Sequence, residues 1–123
     1  MQYTTKPQSL VFYNLNKNGK IKTLNNLNLC IWNVGERIIK INNDEIAIAG
    51  FKKVYLIDIN NYSILNEINT DCLNNCILKL LNNIFLIGDE KGAISQFKIE
   101  NKKITKNHQK INHMKKEYFQ WFY

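Results

Sequence analysis

The sequence predicts an all-β fold built of repeated units of short strands, and three observations support this prediction. Short runs rich in Ile, Leu, Val, Phe and Tyr alternate with breaks that contain Asn or Gly, which is typical of strands joined by tight turns. One set of such runs begins at Ile38, and a matching set begins at Ile77. A glycine follows the second run of each set, Gly50 in the first and Gly88 in the second.

The interval between the two sets is that of a propeller blade, since a strand-only repeat of roughly 40 residues is the signature of this architecture. We therefore expect β-propeller-like blades of four antiparallel strands. The chain would be a single domain over residues 1–123, with the following parts: a partial blade at about 9–26, a blade at about 37–69, a blade at about 76–106, and a truncated blade with an aromatic tail at 107–123.

Each predicted element follows from local composition. In the partial blade, Ser9–Leu15 has the pattern of a third strand and Lys20–Leu24 that of a fourth. Leu27–Val34 fits either an extended connection or a strand of its own. The strands predicted for the two complete blades are 37–42, 45–51, 54–60 and 64–69, then 76–81, 84–88, 93–99 and 102–106.

The number of blades limits what the chain can form alone. Propellers close with four to eight blades, whereas 123 residues supply two complete blades and fragments. The sequence therefore predicts an incomplete propeller. Three explanations remain open: a piece of a longer product, a ring completed by another chain or copy, or a short open stack. We favour the first two, because unpaired apolar blade faces promote aggregation.

The second complete blade resembles those of WD40-type β-propellers. Gly88–Lys98 follows the family outline of a glycine segment, an acidic turn and a third strand, with Phe97-Lys98 in the place of Trp-Asp. Ile57-Asp58 and Tyr13-Asn14 occupy that place in the earlier repeats. The resemblance covers about residues 9–111 and implies a non-enzymatic scaffold that binds a protein or peptide. Lys91 replaces the turn aspartate and no Gly-His pair precedes either complete blade, so the family's polar network is absent.

Two groups of residues are candidates for partner binding. The turn residues Phe51, Lys52, Lys53 and Lys91 would be presented by the blades. The terminal aromatics Trp121, Phe122 and Tyr123 would either dock on the open end of the stack or bind a partner, since Trp and Tyr supply much of the energy at interface centres.

The positive charge predicts an alternative function. The net charge is +7, and eight lysines face only Glu100 between residues 91 and 116. Such a segment could bind nucleic acid or a phosphoinositide. The candidate basic patch consists of Lys98, Lys102, Lys103, Lys106 and Lys110. A solvated strand is the simpler interpretation, because Arg and interleaved aromatics are sparse there.

Composition also bears on compartment and membrane. The three cysteines are an odd number and no secretory leader opens the chain, which favours reduced thiols in an intracellular, cytoplasmic protein. No apolar run reaches the roughly 18 to 20 residues of a membrane span, so we expect none.

Catalytic and metal sites are not predicted. Cys72, Cys76, His108 and His113 are zinc-ligand types, but their spacing fits buried thiols better than a zinc site. The carboxylate pairs Asp44-Glu45 and Asp89-Glu90 stand at strand or hairpin ends, where turn chemistry explains them. No phosphate-binding glycine loop or nucleophile elbow occurs. We therefore predict no enzyme, no cofactor and no metal.

Overall fold

A computed structural model describes residues 8–16, 19–29 and 37–107, and this part of the chain is all-β, as predicted. It contains nine strands: β1 (Gln8–Asn14), β2 (Gly19–Leu27), β3 (Ile38–Lys40), β4 (Glu45–Ala49), β5 (Phe51–Asp58), β6 (Ser63–Leu81), β7 (Ile84–Asp89), β8 (Ile94–Glu100) and β9 (Lys103–Asn107). No described residue belongs to a helix, so this part offers no helix that could span a membrane.

The strands form a hairpin and one longer sheet. Strands β1 and β2 pair with each other, and β3 to β9 pair in chain order, each antiparallel to the next. Strand β6 is 19 residues long and belongs to both halves of the sheet. Its residues 63–73 pair with β5, and its residues 74–81 pair with β7. We call β3, β4, β5 and the first part of β6 the first unit, and the second part of β6 with β7, β8 and β9 the second unit.

The continuity of β6 differs from the predicted boundaries, which leave residues 70–75 between two blades. Asn74 lies in this segment, and the structure gives it a role in joining the two units. Its side chain is buried and its amide donates to the carbonyl oxygen of Gly50 at 3.0 Å and to the hydroxyl of Thr70 at 2.9 Å. Because these bonds satisfy the buried amide, the chain passes from one unit to the next as an unbroken strand.

The sequence repeat is also a repeat of strand pairing. In the first unit, Ile38 lies opposite Ile48. In the second unit, their repeat equivalents Ile77 and Ile87 lie opposite each other. The two units therefore use the same register between their first and second strands. Register decides which face each side chain occupies, so matching positions lie on matching faces.

The main core lies between the two units. Ala47 and Leu56 of the first unit belong to the same buried cluster as Phe85 and Phe97 of the second. The two phenylalanine rings are stacked with centroids 5.4 Å apart. The other face of the first unit, which includes Ile48, packs against the β1–β2 hairpin. The described chain is therefore three layers deep: hairpin, first unit, second unit.

The layers are stacked head to tail. Ile48 faces the hairpin, and its equivalent Ile87 faces the first unit. Ala47 faces the second unit, and its equivalent Leu86 lies on the far face of the second unit. Each unit thus presents the same face to the layer before it, as stacked repeats do.

We expect Phe85→Ala to destabilise the protein by about 3 to 5 kcal/mol, the usual cost of removing a buried phenylalanine ring. Phe85 is fully buried and stacks on Phe97, so the substitution leaves a cavity between the units. Urea unfolding followed by circular dichroism measures the loss. Leu15→Ala is the control, because Leu15 is 89% exposed and its truncation should change the free energy of unfolding by less than about 0.5 kcal/mol. Equal effects of the two variants would contradict the placement of the core.

Candidate functional site

The first candidate surface is the turn between β4 and β5. The Gly50 amide donates to the carbonyl oxygen of Lys53 at 2.8 Å, which closes a tight turn, and Lys52 adopts a positive φ of 56°. The Phe51 amide donates to the carbonyl oxygen of Asn28 at 2.8 Å. A Cβ at Gly50 would clash with that same oxygen. A backbone hydrogen bond therefore joins this turn to Asn28, which follows β2 of the hairpin. Glycine is required at position 50 because the turn approaches the Asn28 carbonyl so closely.

The equivalent turn between β7 and β8 has the same attachment. The Glu90 amide donates to the carbonyl oxygen of Leu73 at 2.9 Å, and Glu90 is the repeat equivalent of Phe51. The Asp89 carboxylate accepts the backbone amides of Lys91 at 2.9 Å and Ala93 at 3.0 Å. Asp89 thus organises the turn, as turn aspartates commonly do. In both units, a segment from the preceding layer fixes the turn by a backbone hydrogen bond.

The turn residues predicted to bind a partner are only partly free. Lys52 and Lys91 are exposed. The Lys52 ammonium lies 5.7 Å from the centroid of the Phe51 ring, which is half-buried. Lys53 forms an ion pair of 3.3 Å with Glu67. Trp121, Phe122 and Tyr123, the other predicted partner-binding residues, lie outside the described residues.

The candidate basic patch contains an acidic residue, Glu100. Lys98, Lys102, Lys103 and Lys106 are all exposed on β8, β9 and the turn between them. Glu100 pairs with Lys98 at 3.8 Å and lies directly across the ladder from Lys103. Lys110 lies outside the described residues. These four lysines share two neighbouring strands, but the field they produce is weakened by the carboxylate between them.

Asp58 is the last residue of β5, and it stabilises the turn that follows. Its carboxylate accepts the backbone amides of Asn60 at 2.8 Å and Asn61 at 3.2 Å. These backbone hydrogen bonds lower the pKa of Asp58 against the opposing effect of desolvation, and Lys102 adds a smaller electrostatic contribution in the same direction. The Asp58 carboxylate is therefore occupied by a local cap of the turn after β5.

The described cysteines are buried. Desolvation is the main reason that the pKa of Cys72 rises to about 11, and its hydrogen bond with Asp89 adds to the effect. Desolvation also raises the pKa of Cys76. Within the described ranges, no group of three or more His, Cys, Asp or Glu side chains is arranged to hold a metal ion. His108 and His113 lie outside those ranges.

The far face of the second unit is an apolar surface. Cys76 and Leu86 form its buried centre, and Leu78 and Ile94 pack around them. We call these four residues the far face. Leu80 lies on the same part of β6 as Cys76 and Leu78, and it is 50% exposed. The first unit has equivalent positions, such as Ala47 for Leu86, and there the second unit covers them.

Sequence reasoning missed one feature, a polar cleft between the turns of the two units. Its volume is about 280 Å³, and it is lined by Lys40, Asn42, Asn43, Lys79 and Asn82. Lys-x-x-Asn occurs at 40–43 and again at 79–82. This recurrence of a lysine and an asparagine at the repeat interval is the sequence signal that could have revealed the cleft.

The thiols give a pH prediction. Alkylation by iodoacetamide requires the thiolate, so we expect Cys72 in the native protein to react slowly at pH 8 and to speed up only as the pH nears its pKa of about 11. In urea it should react as an ordinary thiol. Because the unfolded chain releases this proton first, Cys72 should lower the free energy of unfolding as the pH rises from about 9 to about 11. Peptide mass spectrometry separates the cysteines, and fast native labelling of Cys72 at pH 8 would contradict its burial.

Comparison of the chain with protein-family models, curated proteins and solved structures finds no significant match. The function of the chain must therefore be inferred from the geometry of the two units and from the surfaces described above.

Proposed function

We propose that this chain is a non-enzymatic protein-interaction scaffold made of WD40-like blades, and that a partner supplies a further layer on the side of the second unit that no described strand covers. The single observation that carries the proposal is the far face. Its residue Leu86 is the repeat equivalent of Ala47, which the second unit covers. Cys76 and Leu86 are already buried, so a matching layer from another chain would add cover to the partly buried Leu78 and Ile94 around them.

The chemistry of the far face suits a protein partner. Its four residues are apolar or weakly polar, and burying apolar area is the main driving force of protein association. The turns at Phe51 and Glu90 illustrate how a neighbouring layer is held in register, since each donates its amide to a carbonyl of the preceding layer. The partner would be a second copy of this chain or another chain of β-repeats. Head-to-tail contacts of this kind produce rings or open filaments.

Reliance on apolar packing agrees with the missing polar network. In the first unit, the Asp58 carboxylate accepts its hydrogen bonds from its own turn. The clusters that join the described layers consist of aliphatic and aromatic side chains. An added layer would therefore be recognised by shape and apolar area, with backbone hydrogen bonds setting its position.

The alternative function is binding of nucleic acid or a phosphoinositide by the basic segment at residues 91–116. One observation favours it: Lys98, Lys102, Lys103 and Lys106 are all exposed on two adjacent strands and their turn. The position of Glu100 among them argues against this alternative, because its carboxylate weakens the positive field.

The scaffold proposal predicts association through the far face. We expect the wild-type chain to show a concentration-dependent mass above that of a monomer in light scattering coupled to size exclusion. The double variant Leu78→Glu/Ile94→Glu should shift it to the 14.5 kDa monomer, because a charge in an apolar interface is costly. Leu15→Glu is the control, since Leu15 is in the hairpin turn and 89% exposed.

A wild-type chain that remains a monomer at all concentrations and melts in one cooperative transition would contradict the scaffold proposal, because such a chain would be stable without a layer from a partner. Association that persists unchanged in the Leu78→Glu/Ile94→Glu variant would contradict the use of the far face. Both glutamate variants must keep the wild-type circular dichroism spectrum for the comparison to be valid.

Binding of an RNA oligonucleotide distinguishes the scaffold proposal from the alternative. Under the scaffold proposal, Glu100 weakens the basic surface, and we expect RNA binding to be lost between about 50 and 200 mM salt, as for non-specific phosphate contacts. The triple variant Lys102→Glu/Lys103→Glu/Lys106→Glu should then equal the wild type at physiological ionic strength. Fluorescence anisotropy measures both. Binding that survives at that ionic strength and disappears in the triple variant would favour the basic-surface function.

A further inference from the structure

The cleft between the turns of the two units has charged walls that are related by the repeat. Lys40 lies across the ladder from Ile46, and its equivalent Lys79 lies across from Phe85. Each lysine is therefore at or near the end of the pairing between the first and second strands of its unit. This equivalence brings one lysine from each unit to the same cleft.

Hydrogen bonds between the turns hold the walls of the cleft together. The Asn42 amide donates to Asn83 Oδ1 at 2.8 Å, which joins the first turn of one unit to that of the other. The same amide donates to Glu45 Oε1 at 2.7 Å. Glu45 is thus engaged with Asn42, and it is not among the residues that line the cleft.

The side chains that line the cleft carry positive charge and no negative charge. The lining consists of two lysines and three asparagines, with no carboxylate. Two ion pairs between described residues join Lys53 to Glu67 and Lys98 to Glu100. Lys40 and Lys79 are exposed and take part in neither. Two ammonium groups at one cleft repel each other, and an anion between them removes that cost.

We propose that this cleft binds a small polyphosphate, with Lys40 and Lys79 each contacting a phosphate group and the amides of Asn43 and Asn82 donating to the remaining oxygens. Lysine binds phosphate as a compact point charge, and each asparagine offers two amide protons. The volume of about 280 Å³ is at the lower end for ligand sites, which suits a di- or triphosphate group. This site is separate from the far face and from the basic patch on β8 and β9, and it does not depend on the proposed scaffold function.

Isothermal titration with inorganic tripolyphosphate at low ionic strength tests the site. We expect Lys40→Glu and Lys79→Glu each to raise the Kd at least tenfold, and the double variant to abolish measurable binding. The control is Lys22→Glu, which makes the same charge change at an exposed position of β2 and should leave the Kd within about twofold. Both cleft lysines are exposed, so the variants should keep the melting temperature of the wild type.

Three results would overturn the site. The first is a wild-type chain that shows no heat of binding at millimolar tripolyphosphate. The second is a Lys22→Glu variant that weakens binding as much as Lys40→Glu, which would indicate a general effect of net charge. The third is an RNA oligonucleotide that binds more tightly than tripolyphosphate with the same dependence on Lys40 and Lys79. Titration of the Leu78→Glu/Ile94→Glu variant separates this site from the scaffold function, since its cleft is intact.

Discussion

Apolar packing between successive layers is the interaction on which the rest of the structure depends. Phe85 and Phe97 fill the space between the two units, and Ile48 fills that between the first unit and the hairpin. A four-stranded antiparallel sheet has two faces, and a unit in the middle of a stack must cover both. Ile38 shows the cost of incomplete cover: it is 44% exposed, whereas its equivalent Ile77 is 3% exposed. Ile38 is less well covered because, within the described residues, the hairpin that precedes the first unit has two strands, whereas the unit that precedes the second unit has four.

The polar residues of the stack serve the geometry of its turns and crossings. Asn74 is buried and binds the carbonyl of Gly50, Asp58 and Asp89 cap their own turns, and Asn42 links the turns of the two units. Asn74 and Asp58 are buried, and their bonds inside the protein replace bonds to water, as buried polar atoms require. The same arrangement places the two lysines of the cleft together without a carboxylate in its lining, so the proposed anion site is a by-product of how the units are aligned.

Much of the fold could be predicted from the sequence, and the site much less so. The strands around Ile46 and Ile57 are marked by β-branched residues and bounded by asparagine and lysine, and their all-β class is confirmed. The cleft at Lys40 and Lys79 could not be found from local chemistry, because its two lysines belong to different repeats and meet only when two registers coincide. The position of Glu100 opposite Lys103 could not be predicted from the sequence either, because the pairing of β8 with β9 places Glu100 beside the basic residues.

The sequence by itself determined the strand content and the repeat, because hydrophobic pattern and turn residues act over a few neighbouring positions. Only the tertiary structure decided that residues 70–75 continue β6 and carry the chain between units. It also decided which side of each unit is covered. The physical reason is that a side chain at the surface of a sheet is classified as core or exterior by what packs upon it. Leu86 and Ala47 are equivalent in the repeat and both are buried, yet Ala47 belongs to the core between the two units, whereas Leu86 belongs to the small cluster on the far face.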